Sequence, residues 1–259
     1  MKPNVILPLL IAIITASCSQ SVVHKPRHAE PAVIIKDFKS WWSYNYSNIN
    51  LSAEYIALDT SATVIDKAAF LQSLSSGAYI PLRIFSTDSS IQYQLYRMNG
   101  SVDGDIKTQV KQFGQDGYKN FQMEGMELPA FNFTDLNGNV YNNENTKGKT
   151  IVLKSWFIHC AKCVEEMPAL NTAIRQFSNR PDILFVSLAF DSKENLTEFL
   201  KTTSFNYAVV ADQKKYLTEQ LKIAYYPTHL IINKKGKIVK VIDGDYGNMI
   251  SCLKKELLK

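Results

Sequence analysis

Two cysteines three residues apart, Cys160 and Cys163, sit inside Trp156-Phe157-Ile158-His159-Cys160-Ala161-Lys162-Cys163, with Glu166 and Pro168 just behind them. A β-branched, apolar run, Thr150 to Leu153, leads into this stretch, and a helical pattern follows with Cys163, Met167, Leu170, Ile174 and Phe177 on one face. The spacing therefore puts Cys160 where a strand ends and a helix begins. Free N–H groups and the helix dipole at such a place favour a thiolate over a thiol. Cys163, one turn further in, can close a ring onto it. A nucleophilic cysteine with a resolving partner is equipped for thiol–disulfide exchange.

Other chemistries at this spacing need residues that are missing here. Structural zinc usually takes a second Cys or His pair, and no second C-x-x-C occurs. Haem attachment needs a His directly after the second Cys, where Val164 stands. A peroxidatic cysteine would want Pro seven and Thr three residues ahead. Cys160 has Leu153 and Phe157 at those places, and Cys163 has Trp156 and Cys160. One metal reading stays open as the runner-up: copper or zinc handling by Cys160, Cys163 and a histidine, either His159 or His229. The blander alternatives, two packed cysteines or a binding module with a redox-dead domain, fit poorly with two intact cysteines at a strand-to-helix junction.

Further residues carry a resemblance. Leu128-Pro129-Ala130-Phe131 precedes a hairpin from Phe133 to Tyr141, and Gly148-Lys149 enters the first core strand. Trp156 stands four residues before the first Cys; Cys160-x-x-Cys163-x-x-Glu166-x-Pro168 follows, and Tyr226-Pro227-Thr228 comes much later. From about Met123 to the end, roughly half its length, the chain resembles the exported thioredoxin-like thiol–disulfide oxidoreductases of the TlpA/ResA type, relatives of the redoxins. The resemblance implies a C-terminal thioredoxin-like α/β fold, a central mixed sheet flanked by helices. It implies a redox-active Cys160–Cys163 disulfide with no other cofactor, and Glu166 as a further catalytic residue. Trp156, Pro227 and Thr228 would bind the client, with Pro227 cis and facing the disulfide; cis is otherwise the minority state of X-Pro bonds. The partners it implies are disulfide-containing client proteins and a membrane electron donor that re-reduces the dithiol. Reduction of mispaired envelope disulfides and maturation of apocytochrome c are both family roles. Two departures bear on the reduction potential: Lys162 stands where Pro is common, and His159 where an aromatic is usual.

The elements that must position this site read off in order. After the hairpin (133–141) come a strand (150–157), a helix (161–177) kinked by Pro168, a strand (182–190) and a helix (193–203). A short strand (207–211), a helix (213–223), strands at 229–233 and 238–243, and a final helix (247–258) complete it. Strand–helix–strand followed by hairpin and helix is the thioredoxin order. In the strand from Thr150 to Phe157, Val152, Lys154 and Trp156 share a face; the resemblance puts Lys154 where ordinary thioredoxins hold a buried acid beneath the cysteines. If Lys154 and Glu166 are both buried, they should pair across the strand–helix junction; otherwise Lys154 snorkels to solvent. Cys252, between apolar neighbours on the last helix, reads as a packed small hydrophobe.

The chain has 259 residues, 46% hydrophobic, and a net charge of +5. This suits one large or two ordinary globular domains, and the modest, dispersed charge gives no reason to expect nucleic acid as a partner. Lys234-Lys235-Gly236-Lys237 reads as a solvated turn. Residues 1–17 read as a lipoprotein-type signal peptide: Lys2, an apolar run from Val5 to Ile14 too short to span a bilayer, and small residues Thr15-Ala16-Ser17. Cys18 then stands where a lipid would be attached, with Thr15 where Leu is usual. Residues 18–33 form a polar tether in which His24 and His28 are solvated. The expected location is the bacterial cell envelope, lipid-anchored to a membrane and facing the periplasm or cell surface. A dithiol there must be kept reduced by a dedicated donor.

Residues 34–122 read as a small α+β domain. Trp41, Trp42, Tyr44, Tyr46 and Tyr55 crowd its start as core or domain-interface material. Asp66 to Leu74 and Ser101 to about Phe121 read as helices, and Tyr79 to Phe85 and Ile91 to Met98 as strands. No chemistry-bearing constellation stands in this part.

Overall fold

The computed structural model describes residues 30–84 and 90–259. Residues 1–17, read as a signal peptide, and Cys18, His24, His28, most of the stretch read as tether, and Phe85 lie outside the described residues. Among the described residues, no helix is long and apolar enough to cross a membrane.

The N-terminal part runs α1 (Pro31–Ile34), α2 (Phe38–Asn48), β1 (Ile56–Leu58), β2 (Val64–Ile65), α3 (Lys67–Ser75), β3 (Tyr79–Ile84), β4 (Gln92–Arg97) and α4 (Gly104–Met123). Its four strands form one sheet in the order β2-β1-β4-β3, antiparallel except for the parallel β1–β4 pair. Asp37, Asp66 and Asp103 cap α2, α3 and α4 by accepting backbone N–H bonds. Glycine inside α4 has a packing reason. A Cβ on Gly114 would lie 2.5 Å from backbone atoms of Leu74 and Ser75, so only glycine lets α3 and α4 approach this closely.

Two differences from the sequence reading stand out here. The chain is already helical from Pro31, inside the stretch read as tether, because Pro suits a first helical turn and Ile34 is buried. All of the aromatic cluster but Tyr55 lies on one helix, α2, whose Trp41 enters the core while Trp42 and Tyr46 stay exposed.

The C-terminal part continues with β5 (Asn132–Thr134), β6 (Val140–Asn142), β7 (Thr150–Trp156), α5 (Ala161–Glu165), α6 (Met167–Arg175), β8 (Ile183–Ala189), α7 (Lys193–Phe199), β9 (Ala208–Val210), β10 (Thr228–Ile232), β11 (Ile238–Asp243) and α8 (Tyr246–Glu256). Five strands form a mixed sheet in the order β11-β10-β7-β8-β9, with β7–β8–β9 parallel and β10 antiparallel to both its neighbours. This is the expected thioredoxin-like α/β fold. Every residue of β7 is buried, as befits a central strand covered on both faces. On one face Val152 and Ile231 pack with Leu170 of α6 and with Met249 and Leu253 of α8. On the other, Ile151, Leu153 and Leu230 pack with Leu128, Phe133 and Leu217. Between β9 and β10, where the periodicity predicts a helix over 213–223, residues Tyr216–Gln220 wind as a π turn. It ends at Lys222 in the left-handed region.

The two parts are bonded to each other. Asn50 Nδ2 donates to Asp245 Oδ2 at 2.7 Å, and Asn120 Nδ2 to Asp243 Oδ2 at 2.6 Å. The buried Lys240 ammonium reaches Glu54 Oε1 at 3.0 Å and Glu124 Oε1 at 3.3 Å.

Candidate active site

β7 ends at Trp156, and three residues later the chain turns into α5. Ile158 N–H donates to Asp191 Oδ2 at 2.8 Å, which ties down the turn. Cys160 is the N-cap of α5, and its Sγ accepts the Cys163 N–H at 3.2 Å. That bond favours a thiolate on Cys160 in the reduced protein. The two sulfurs are joined in a disulfide whose Cα atoms lie 5.2 Å apart. Cys160 is 8% exposed and Cys163 0%, so a client can reach the first sulfur and not the second.

The helix breaks at Glu166, and α6 starts with Pro168 in its first turn, where the missing N–H is not needed. The Glu166 side chain is buried and pairs with the wholly buried Lys154 ammonium, as expected for two charges that water cannot serve. A third group joins them. His229 sits directly opposite Lys154 in the β10–β7 register and is wholly buried. Its Nε2 lies 3.1 Å from Glu166 Oε1, yet neither ring nitrogen has a well-directed hydrogen bond. Burial pushes the imidazole pKa down despite the nearby carboxylate, so His229 is neutral around pH 7. Burial also lowers Lys154, against the pull of Glu166. For Glu166, burial acts upward, but His229 and Lys154 outweigh it and hold the carboxyl below its ordinary value.

The Tyr226–Pro227 bond is cis, as the resemblance implies. Pro227 and Lys162 line the same cleft. Two of the expected client-binding residues need correction. Trp156 is wholly buried between Phe199 and Phe205, at ring centroid distances of 5.9 and 5.7 Å, and cannot touch a client. Thr228 is buried too, and its backbone N–H and C=O are both occupied by Ser155 Oγ, at 3.0 and 3.2 Å. Its hydroxyl bonds the Tyr225 carbonyl at 2.7 Å, so Thr228 braces the turn that carries Tyr225, Tyr226 and Pro227. The histidines do not complete a metal site either. His159 is exposed, His229 faces Glu166, and among the described residues no group of three or more His, Cys, Asp or Glu is placed to hold a metal ion.

Sequence reasoning missed His229 as a neighbour of Glu166, because only the strand pairing sets it opposite Lys154. It also missed Tyr46. Lys162, between the two cysteines, donates to Tyr46 Oη at 3.2 Å, across 116 residues of sequence. No local signal points to that contact.

Comparison with known proteins agrees with this geometry. A sequence model of the Redoxin family matches residues 123–255, just over half of the chain. The thiol-disulfide oxidoreductase ResA of Bacillus subtilis is 30% identical over 136 residues, 49% of this chain and 75% of the relative. The thioredoxin-like protein YneN of the same organism is 27% identical over 117 residues, 44% and 68% of the two chains. Among solved structures, the thioredoxin domain of a thiol-disulfide oxidoreductase from Bacteroides vulgatus aligns with a TM-score of 0.45 at 23% identity, covering 51% of this chain and 96% of that one. With a reducible Cys160–Cys163 pair at the strand–helix junction and a family match across the whole sheet that carries it, the chain belongs to the Redoxin family and is a thioredoxin-like thiol–disulfide oxidoreductase.

Proposed function

We propose that this protein reduces disulfides of client proteins in the bacterial cell envelope, with Cys160 as the attacking and Cys163 as the resolving thiol. The observation that carries the reading is the asymmetry of the pair: Cys160 is reachable and accepts a backbone N–H, while Cys163 is sealed beneath it. The Cys160 thiolate attacks one sulfur of a client disulfide, that S–S bond breaks, and the departing client thiolate takes a proton. Cys163, deprotonated, then attacks Cys160 Sγ in the mixed disulfide, which closes the Cys160–Cys163 bond and frees the second client thiol. Two electrons pass from the dithiol to the client. A membrane dithiol donor returns them, and no cofactor beyond the cysteines takes part. Pro227 stands at the client side of the disulfide, and the buried Glu166–Lys154 pair supports Cys163 from below.

Export by residues 1–17 and lipid attachment at Cys18 complete the proposal and place the dithiol outside the reducing cytosol. Envelope location is supported by the signal-like composition of residues 1–17. A Cys163→Ser variant, expressed in cells and isolated under acid trapping, should hold clients as mixed disulfides on Cys160. Mass spectrometry would separate apocytochrome c from general mispaired clients. Absence of any Cys160-linked protein would overturn the proposal.

A further inference from the structure

A cleft of about 860 Å³ lies between the N-terminal part and the redox motif. The cleft is lined by α2, with Trp41, Trp42 and Tyr46, and by Lys162 together with Tyr225, Tyr226 and Pro227. The α2 wall is held rigidly. Trp41 is anchored in the core, and Tyr44 Oη accepts the Arg83 N–H of β3 at 2.8 Å. Tyr46 Oη accepts from Lys162, which fixes the wall to the segment between the cysteines.

The aromatic rings facing this space are left open. Trp42 is 51% exposed, Tyr46 70% and Tyr225 46%. Phe38 stacks against Trp42 at 6.0 Å and Trp41 braces its edge at 6.1 Å, so the Trp42 ring is set in place with a free face. Large aromatic rings that are already immobilised offer contact area at little entropic cost. Charge is not what the cleft offers. Lys67, Arg83 and Lys162 line it together with Asp116, Glu124, Asp243 and Asp245, so the two signs nearly balance. Asp245 is engaged by Asn50 and by the N–H of Asn248, and burial pushes the Asp243 carboxyl above its ordinary value. Nor does the cleft suit a folded, convex surface, because Tyr46 of α2 reaches Lys162 beside the cysteines.

We infer that this cleft is the client site of the proposed reductase, and that it selects an extended, unfolded client segment carrying an aromatic side chain close to its cysteine, held against Trp42 and Tyr46. The inference rests on the proposed reduction of protein disulfides and names the class of segment reduced. It gives the N-terminal part a role in specificity that the redox motif alone does not supply. A single extended strand, with side chains leaving on alternate sides, can lie in the cleft and still bring a disulfide to Cys160.

The test uses the reduced full chain with two peptide disulfides that differ only in Phe or Gly beside the cysteine, and 2-hydroxyethyl disulfide as a third substrate. The wild type should reduce the Phe peptide with a kcat/KM at least tenfold above the Gly peptide, with little change between low and high salt. In Trp42→Ala that ratio should fall to within about threefold. A ratio near one in the wild type, or one unaltered in Trp42→Ala, would overturn the inference while leaving the reductase reading intact. Should Trp42→Ala fail to fold, the wild-type ratio decides, together with competition by a Phe peptide whose cysteines are replaced by serine; failure of that peptide to inhibit would count against the cleft. A wild type that reduces none of the three substrates would remove the proposed function, and this inference with it.

Discussion

Replacing Glu166 by Gln tests how the buried charges under the disulfide are held. Lys154 and Glu166 are paired with essentially no access to solvent, and His229 adds a neutral ring 3.1 Å from the same carboxylate oxygen. Two charges about 4 Å apart attract by roughly 4 kcal/mol at an effective dielectric constant of about 20. Removing one partner of such a pair strands the other, which typically costs about 3–5 kcal/mol. For a chain of this size that corresponds to a fall in Tm of roughly 6–20 °C. Glu166→Gln should show this loss near pH 7 in urea unfolding of the oxidised protein, with the disulfide intact in every sample. The carboxyl is held below its ordinary value, so the stabilisation from its charge is full above the unfolded carboxylate pKa. It fades as pH falls through the lower folded value. Lys154→Met should lose a similar amount at neutral pH, with a different pH course. Lys154 opposes a proton on His229 and Glu166 favours one, so without Lys154 the imidazole can charge and partner the carboxylate. The deficit of Lys154→Met should therefore begin to shrink as pH falls below the ordinary histidine value, while that of Glu166→Gln should hold until pH falls below the ordinary carboxylate value. The double variant leaves no stranded charge and should be more stable than the sum of the two losses predicts by about 3 kcal/mol. Additivity within about 0.5 kcal/mol would show that the pair is not coupled and refute the reasoning. The same two positions bear on catalysis: reduced Cys163 should titrate at lower pH in Glu166→Gln and at higher pH in Lys154→Ala.

Iodoacetamide should modify Cys160 before Cys163 in the reduced protein, since Cys163 is sealed; first labelling of Cys163 in peptide maps would reverse the assigned roles. Wild-type protein should fractionate with membranes and Cys18→Ser should not; release of the wild type without detergent would count against lipid attachment. Burial pulls the Lys67 pKa down to about 8 in the folded state, against 10.5 unfolded. Between those values the unfolded chain holds the extra proton, so Lys67 contributes a stability that rises with pH from about 8 to 10.5, on the order of 3 kcal/mol in all. Subtracting the pH profile of Lys67→Met should isolate that rise, and parallel profiles would contradict it. Gly114→Ala should cost about 1–3 kcal/mol or more in chemical denaturation, because its Cβ would meet rigid backbone of α3 at 2.5 Å; a neutral result would mean that the two helices separate freely.

What the chain declares by itself is the local chemistry and the local periods. Cys160-x-x-Cys163 after a β-branched run, the strands at 150–157 and 238–243 and the helix at the end are all visible, because alternation and helical spacing are properties of neighbours in sequence. That Lys154 and Glu166 could pair is legible for the same reason, one on the strand and the other on the helix of a single strand–helix unit; only their burial decides it against a Lys154 that snorkels to solvent. What neighbours in sequence cannot specify is which distant segment lies across. His229 joins Glu166 because β10 pairs with β7 in one particular register, and a shift by one residue would turn its side chain to the other face. Trp156 and Thr228, read as client contacts from the motif, are interior because α7 and the turn before β10 cover them. The cleft itself exists only because α2 is carried across to the residue between the cysteines, where Tyr46 meets Lys162 over 116 residues. An aromatic residue has the same local pattern whether its ring ends in a core or on a wall. Only the packing of α2 against β3 and α4 decided that Trp41 is buried and Trp42 is not.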